Sequence, residues 1–506
     1  MQAVSAEWKE TQQRFLLPET FVEISCRVPD VAYEIALISA TDEAPFSATN
    51  LVAEEGTAAI PHYATLERNL WLLDGTRGIL PDLSPNLTPG YVSNDNSSAS
   101  VTVAFPEVIE SSFPGVTVVW SNEFSEYPTS FSVTAKNGDE VVSSATITGN
   151  RDVKSLVDIE ISGFDSITIE PIDWCIPDRR FRVEKIILGH DITFNKGDII
   201  SFQHEQSGDI LCGELPKNMI QFSVLNADGR WNPSNPTGLW RYLSQRQKIT
   251  ARYGLDVNGT IEWLPAGVFY LSDWSAPSNG MEATFEARDI FEYLLNVPYS
   301  GRTEGALSDM VTDALGGLLS DVAFTPKMEE LTGTLTEDRT SAEVIQLCAN
   351  ASCSSVYQSR TGGLVFKNWD SYAVGDYVIG SAMAYANPEI TLSKPMRGIS
   401  VTYAPETPPF ELTLGTNGEI QTAENNLIGT IEQAVLVADW MRIVLESRRT
   451  VSGEYRSDPR LDLYDIVTVE SKYGAILPVV ITDVSYSYTG SFKATYRGRV
   501  IGLGGG

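Results

Sequence analysis

Period-two alternation runs through most of this chain. Val101 to Phe105, Val116 to Trp120, Ser130 to Ala135, Val141 to Thr148, Leu156 to Ser162, Ser166 to Pro171 and Phe181 to Leu188 exchange apolar and polar residues over short runs, with Gly, Pro, Asn and Asp between them. Alternation of this kind marks half-buried strands, and the closely spaced turn residues keep them short. A chain so patterned folds as several β domains. Its 506 residues allow roughly three to five domains of ordinary size. An apolar content of 42% is enough for sizeable cores.

Helical spacing appears in three places. Glu304 to Leu319 sets Leu307, Met310, Val311, Ala314, Leu315 and Leu318 on one face. Thr340 and Glu343 form a capping box ahead of Val344, Leu347, Cys348 and Ala351. Thr430 and Gln433 fit another, opening a helix to Arg449 whose apolar face carries Ile431, Ala434, Val435, Ala438, Met441, Val444 and Leu445.

A net charge of −30 argues against wrapping nucleic acid, because phosphate binding needs clustered Lys and Arg. It is compatible with an acidic passage through which DNA slides without sticking, and with acidity that keeps a protein dissolved. Cys26, Cys175, Cys212, Cys348 and Cys353 follow no metal-ligand or disulfide spacing and read as reduced thiols. Met1 to Arg14 is polar and mixed in charge, unlike a signal peptide, and no apolar run reaches membrane-spanning length. No metal or cofactor is expected. His62, His190 and His204 are the only histidines, and no Gly-x-Ser-x-Gly, His-Glu-x-x-His or Walker-type loop occurs. Asp462 and Asp465 could pair as glycosidase carboxylates, but such pairs arise freely among 66 acidic residues. Asn226-Ala227-Asp228-Gly229 reads as a turn before Trp231, since no Glu follows at calcium-loop distance. These features exclude the common catalytic signatures and point to a non-enzyme.

The last third is the most distinctive. After the helix come Ser457-Asp458-Pro459-Arg460-Leu461-Asp462-Leu463-Tyr464-Asp465-Ile466-Val467-Thr468-Val469, then strands at Pro478 to Tyr488 and Ser491 to Arg499. This order resembles the closing barrel of bacteriophage tail-hub and tail-tip proteins. Leu215 to Val224, Gln247 to Gly254, Gly267 to Leu271 and Ala283 to Asp289 resemble the first barrel of that family. Val356-Tyr357 and Leu364 to Phe366, flanking Arg360-Thr361-Gly362-Gly363, resemble the hairpin hub proteins carry between two barrels. Gly115 to Trp120, Phe131 to Thr134, Gly149-Asn150 and Arg180 to Gly189 resemble a discoidin-type, galactose-binding-like β-sandwich.

The expected organisation is mainly β and multidomain: N-terminal strands and connector over 1–90, sandwich over 91–190, first hub barrel over 191–298, α/β domain over 299–395, and second hub barrel with helix and Gly-rich end over 396–506. The connector Tyr63 to Gly75 reads as packed, and Gly504-Gly505-Gly506 as a flexible end. In the sandwich, the connections Ser121 to Pro128, Gly149 to Ser155 and Ile172 to Asp178 fall at one end, and gather Tyr127, Arg151, Trp174 and Arg179 with Trp120 at the edge. Aromatic faces stack on sugar rings and Arg bonds hydroxyls, so these five are the candidate carbohydrate site; the alternative makes Trp120 and Trp174 core plugs.

The resemblance implies a structural protein of the virion tail tip or baseplate, assembled in the host cytoplasm. It implies a homotrimeric ring with other tail proteins as partners, and the sandwich adds a host-surface glycan. Stable nucleic-acid binding is not expected. In the ring, strand edges such as Val467 to Glu470 would be covered by a neighbour. A free-standing carbohydrate-binding or adhesin protein, and a cell-wall-degrading enzyme, are the alternatives.

Overall fold

A computed structural model describes residues 1–14, 18–31, 33–44, 47–53, 90–94, 99–122, 124–277, 280–368, 377–380, 383–403, 407–456 and 458–501. The connector at 63–75, His62, Ser457 and the terminal glycines lie outside them. The protein is mainly β and multidomain. Two compact units divide it: Met1–Ser25, Thr193–Pro236 and Lys248–Gly506 form one, and Cys26–Ile192 with Thr237–Gln247 the other. The described N-terminal residues divide between the two units, Met1–Ser25 with the larger and those from Cys26 with the smaller. The strand Thr20–Val28 sits in the larger unit's sheet, beside Lys248–Val257. Sequence cannot announce such a pairing, because it joins segments more than two hundred residues apart.

In the larger unit, the strands assigned to the two barrels run into one 13-stranded sheet. From one side it proceeds through His190–Phe194, Thr20–Val28, Lys248–Val257, Thr260–Ser275, Glu282–Arg288, Lys217–Leu225 and Ile199–Ser207. It continues through Ile476–Tyr488, Phe492–Val500, Arg449–Tyr455 and Glu389–Leu392. The seam is the antiparallel pair Ile199–Ser207 with Ile476–Tyr488, in register from Phe202 opposite Tyr488 to Ser207 opposite Asp483. Each seam strand also pairs with the strand that follows it in sequence, so two hairpins meet through their first strands. Ile466–Glu470 is not a free edge: it pairs with Ile476–Tyr488 on one side and with Val378–Ile379 on the other.

The α/β module packs Leu307–Leu315 and Ser341–Ala351 against the strands Ser354–Gln358 and Leu364–Asn368. The Thr340 capping box forms in full: its hydroxyl accepts from the Glu343 amide, and the Glu343 carboxylate accepts from the Thr340 amide. The helix Ile431–Leu445 joins this core rather than the barrel sheet, lying on the strands Met396–Thr402 and Phe410–Thr413. Its buried face is Ala434, Val437, Ala438, Trp440, Met441 and Val444. Ile431 and Val435, expected on that face, point outward with Leu436 and Ile443. The helix is apolar nearly all round, so periodicity alone could not choose the buried side.

The smaller unit is a sandwich. One sheet orders Leu37–Thr41, Ser100–Ile109, Phe164–Trp174, Pro128–Asn137 and Glu140–Thr148; the other orders Lys185–Leu188, Phe113–Val119 and Lys154–Ile161. Between them lie Phe113, Val116, Val118, Phe131, Val133 and Ile169, the inward members of alternating strands. The sandwich begins before Tyr91, since Leu37–Thr41 is one of its edge strands.

Candidate functional sites

The three long connections of the sandwich do meet. The Asn150 amide donates to Thr129 O at 3.1 Å, tying the second connection to the strand that follows the first. The Cys175 amide donates to Tyr127 O at 3.0 Å, joining the third to the first. Ser125, Gly149 and Asp178 take positive φ in these turns. Behind them Trp120 is fully buried, 4.7 Å from the Phe131 ring, and its indole N–H donates to Ser155 Oγ at 2.8 Å. It has no face for a ligand and is a core residue, so it leaves the candidate set.

Trp174 is half-buried, perpendicular to Trp120 at 6.4 Å and tilted on Phe181 at 5.7 Å. Its Nε1 donates to Glu126 Oε2 at 2.9 Å, and Arg179 Nε lies 3.4 Å from the other carboxylate oxygen. Glu126, only 3% exposed, organises the cluster and escaped the sequence reading; a single acid in a turn carries no signal there. Tyr127 is half-buried against the core and Arg151 is exposed on the neighbouring connection. Tyr127, Trp174 and Arg179 are thus half-buried, with the Arg179 guanidinium held by Glu126, and Arg151 is exposed. A cavity of about 550 Å3 also lies in the sandwich, lined by Tyr33, Ile35, Val103, Phe105, Ile186 and Leu188, and by Asn122 and Lys154 from the first two connections.

The second candidate is a buried polar joint in the larger unit, built by the Asp458–Asp465 segment. Arg460 grips Asp458 through Nε at 3.0 and 2.9 Å. Asp462 receives Gln206 Nε2 at 3.0 Å, Gln2 Nε2 at 2.8 Å and Arg360 Nε at 3.2 Å. Arg360, from the turn of the Val356–Phe366 hairpin, also donates to Leu461 O at 2.8 Å and Pro265 O at 3.0 Å. The Asp465 carboxylate accepts from the Asp462 amide at 2.8 Å and from the Met1 amino group. Tyr464 takes a φ of 60°, rare for a bulky residue, and is held there by its buried ring and a hydroxyl bond to Asp209 O at 3.1 Å. Gly208 has to be glycine, since a Cβ would stand 2.3 Å from that hydroxyl.

Next to Arg360, Tyr253 and Tyr486 are fully buried. His204 Nε2 is 2.7 Å from Asn218 Oδ1, and its Nδ1 faces the Tyr253 hydroxyl. That pattern suits a neutral ring whose Nε2–H donates to Asn218 and whose Nδ1 accepts from tyrosine. Burial, then the Arg360 charge, push the imidazole down to about 4, against the Asn218 bond. Burial works to raise Asp462, but Arg360, with Gln2 and Gln206, outweighs it and holds the carboxyl below its ordinary value. Burial raises Asp465, opposed by the amino group. The Asp462–Asp465 pair is therefore an ionic joint whose oxygens are taken by neighbouring donors, with Asp462 enclosed and Asp465, beside Met1, lining a surface pocket. Among the described residues, no three His, Cys, Asp or Glu side chains converge as metal ligands, and no helix is long and apolar enough to cross a membrane.

No known protein family matches the sequence, and no curated protein does either. Solved structures do match the chain path. The 43 kDa tail protein of prophage MuSo2 from Shewanella oneidensis is 13% identical with a TM-score of 0.43, over 61% of this chain and 94% of that one. The tail protein from Neisseria meningitidis MC58 is 10% identical with a TM-score of 0.45, over 62% and 94%. Prophage tail protein gp18 from Listeria monocytogenes is 12% identical with a TM-score of 0.40, over 60% and 91%.

Proposed function

We propose that this chain is a structural tail-tip or baseplate hub protein of a phage or phage-like particle, working as a homotrimeric ring around the tail axis. One observation carries the reading. The two sequence motifs that resemble tail hubs, the hairpin turn at Arg360 and the Asp458–Asp465 segment, are parts of one buried joint, with Arg360 Nε 3.2 Å from Asp462 Oδ2. That joint also reaches the first-barrel residues Gln206 and Pro265. It fixes both barrel segments and the α/β module into one body, as a load-transmitting part of a tail requires. Its partners are copies of itself and other tail proteins, and its place is the virion. A reconstruction of the assembled particle tests the reading: three copies around the axis are expected, and single peripheral copies refute it. In this reading the protein is not an enzyme, and purified protein releases nothing from peptidoglycan.

The sandwich is the discoidin-like accessory of this hub and binds host-surface glycan through Tyr127, Arg151, Trp174 and Arg179. The meeting of its three connections, with Trp174 half-exposed beside a fixed Arg179, supports this. One such site binds weakly, and several copies on a particle supply the strength. A glycan array probed with the full chain gives a signal that Trp174→Ala removes; no signal, or one indifferent to that change, counts against the site. A free-standing adhesin would show the glycan signal without any place on the tail axis.

A further inference from the structure

The cavity of about 550 Å3 in the sandwich falls within the range of about 300–1,000 Å3 that small-molecule pockets occupy. Its residues all belong to the smaller unit, and all four residues of the edge strand Lys185–Leu188 line it. Its two ends differ. At one, Lys185, Val119 and Lys154 stand level across the sheet. Asn122 lines the same end, its amide and its Nδ2 donating to the Glu184 carboxylate at 2.8 and 3.0 Å. At the other, Leu188 stands level with Val116. There the Tyr33 ring lies edge-on to Phe105 at 6.2 Å and to Phe113, earlier on the Val116 strand, at 5.4 Å. Lys185 to Leu188 spans about 10 Å at the rise of a strand. Val31, 43% exposed, is part of the lining, so the cleft opens to water.

The charge of the lining runs against that of the chain. Arg27, Lys154 and Lys185 stand against Glu184 and Asp191, a positive balance in a sequence with 36 basic and 66 acidic residues. Both carboxylates are already engaged, Glu184 by Asn122 and Asp191 by Lys154 at 2.7 Å. A charged group entering at Lys185 therefore meets cations rather than open carboxylates, which favours an anion. Beyond that end the walls are aliphatic and aromatic, and they favour an apolar body. None of Tyr127, Arg151, Trp174 and Arg179 lines the cleft, so it is a different site from the glycan cluster.

We propose that this cleft binds a single-chain anionic amphiphile of the fatty-acyl class. Its anionic head sits at Lys154 and Lys185, and its tail lies along Ile186 and Leu188 toward Tyr33 and Phe105. The polarity of the cleft fixes the direction, because the reverse pose would leave the head among aromatic rings and the tail end beside ammonium groups. Such a ligand comes either as a free acid or as the chain of a lipid in a bilayer, and the cleft takes the free, single-chain form.

The test is calorimetric titration of the full chain with hexanoate, octanoate and decanoate, each below its micelle concentration. Each added CH2 should tighten binding by up to about four-fold until the cleft is full. Decanoate should bind about ten-fold tighter than decyltrimethylammonium, and Lys185→Glu should remove that preference. Circular dichroism checks that the variant stays folded; if it does not, the head-group comparison on the parent chain decides the matter. Decanoate carrying a diazirine on its last carbon should label Tyr33, Phe105 or Leu188 on irradiation and be displaced by plain decanoate. No binding up to about 1 mM, equal affinity for both head groups, no gain with tail length, or label scattered over the chain overturns the site. Binding to phosphatidylglycerol vesicles without binding to free decanoate also overturns it, by making the contact one with a bilayer surface.

Discussion

Arg360 and Asp462 form an ion pair with side chains only 2% and 7% exposed, so removing one partner strands the other. Arg360→Met leaves a buried carboxylate with only the glutamine donors and takes the Arg360 donor from Pro265 O, while Leu461 O keeps the Tyr486 hydroxyl at 2.7 Å. Asp462→Asn leaves a guanidinium charge without its counter-ion. Breaking a buried pair from one side costs about 3–5 kcal/mol, so each single variant should lose that much. Removing both charges also removes the stranding penalty. What remains is Pro265 O without its Arg360 donor, at about 1–3 kcal/mol, since Leu461 O keeps the Tyr486 hydroxyl, so the double variant should cost about 1–3 kcal/mol against an additive total of about 6–10. The readout is native-state hydrogen exchange on peptides covering 199–207 and 476–488, the two seam strands, as urea is raised. Reporting on those peptides keeps the sandwich's own unfolding out of the measurement. Single variants within about 1 kcal/mol of the parent, or a double variant equal to the sum, would refute the claim that this pair organises the joint.

Three further outcomes are expected. His204 titrates at about 4 in the folded chain, below its ordinary 6.5. The unfolded chain therefore takes up the proton first, and about 3 kcal/mol of stability, intact above pH 6.5, is lost as pH falls toward 4; a histidine resonance of His204 titrating near 6.5 in the folded protein would contradict this. Asp289 caps the short helix Ile290–Leu294 while fully buried, and burial pushes its carboxyl up to about 8. Its folded value lies above the unfolded one, so its contribution is lost as pH rises, and Asp289→Asn should gain on the parent by about 1.4 kcal/mol per pH unit between pH 4 and 8; parallel denaturation midpoints across that range would count against it. In the sandwich, Trp120→Ala should cost about 3–5 kcal/mol of stability, whereas Trp174→Ala should cost less and act on glycan binding; calorimetry of the pair separates core from site.

The strands were legible because alternation is a local signal. Phe131, Val133 and Ala135 announce Pro128–Asn137, and Thr340 with Glu343 announces Ser341–Ala351. What stayed hidden was non-local. Nothing near Thr20 reveals that its strand pairs with Lys248–Val257, and nothing in the Asp462–Asp465 spacing reveals that Arg360 neutralises a member of the pair. The candidate site was legible in part. Alternating strand directions correctly put three connections at one end, but exposure is set by packing depth, which sent Trp120 inside and made Glu126 the organiser.

The point where the chain enters the sandwich bears on the order in which the molecule folds. Thr20–Val28 and His190–Phe194 are neighbours in the sheet, although roughly 160 residues separate them. Closing an unstructured loop of that length costs about 4–5 kcal/mol in chain entropy, so this pairing is a poor place for a nascent chain to start. If the sandwich forms first, the cost is met within it: Gly189, at a φ of 84°, already stands so close to Val28 that a Cβ would fall 2.6 Å from its carbonyl oxygen. The insert then behaves as a pre-tied knot that delivers both strands side by side. The same adjacency would let a short turn replace the whole excursion without moving a strand, which makes the sandwich the part of this protein that a lineage could lose or exchange most freely.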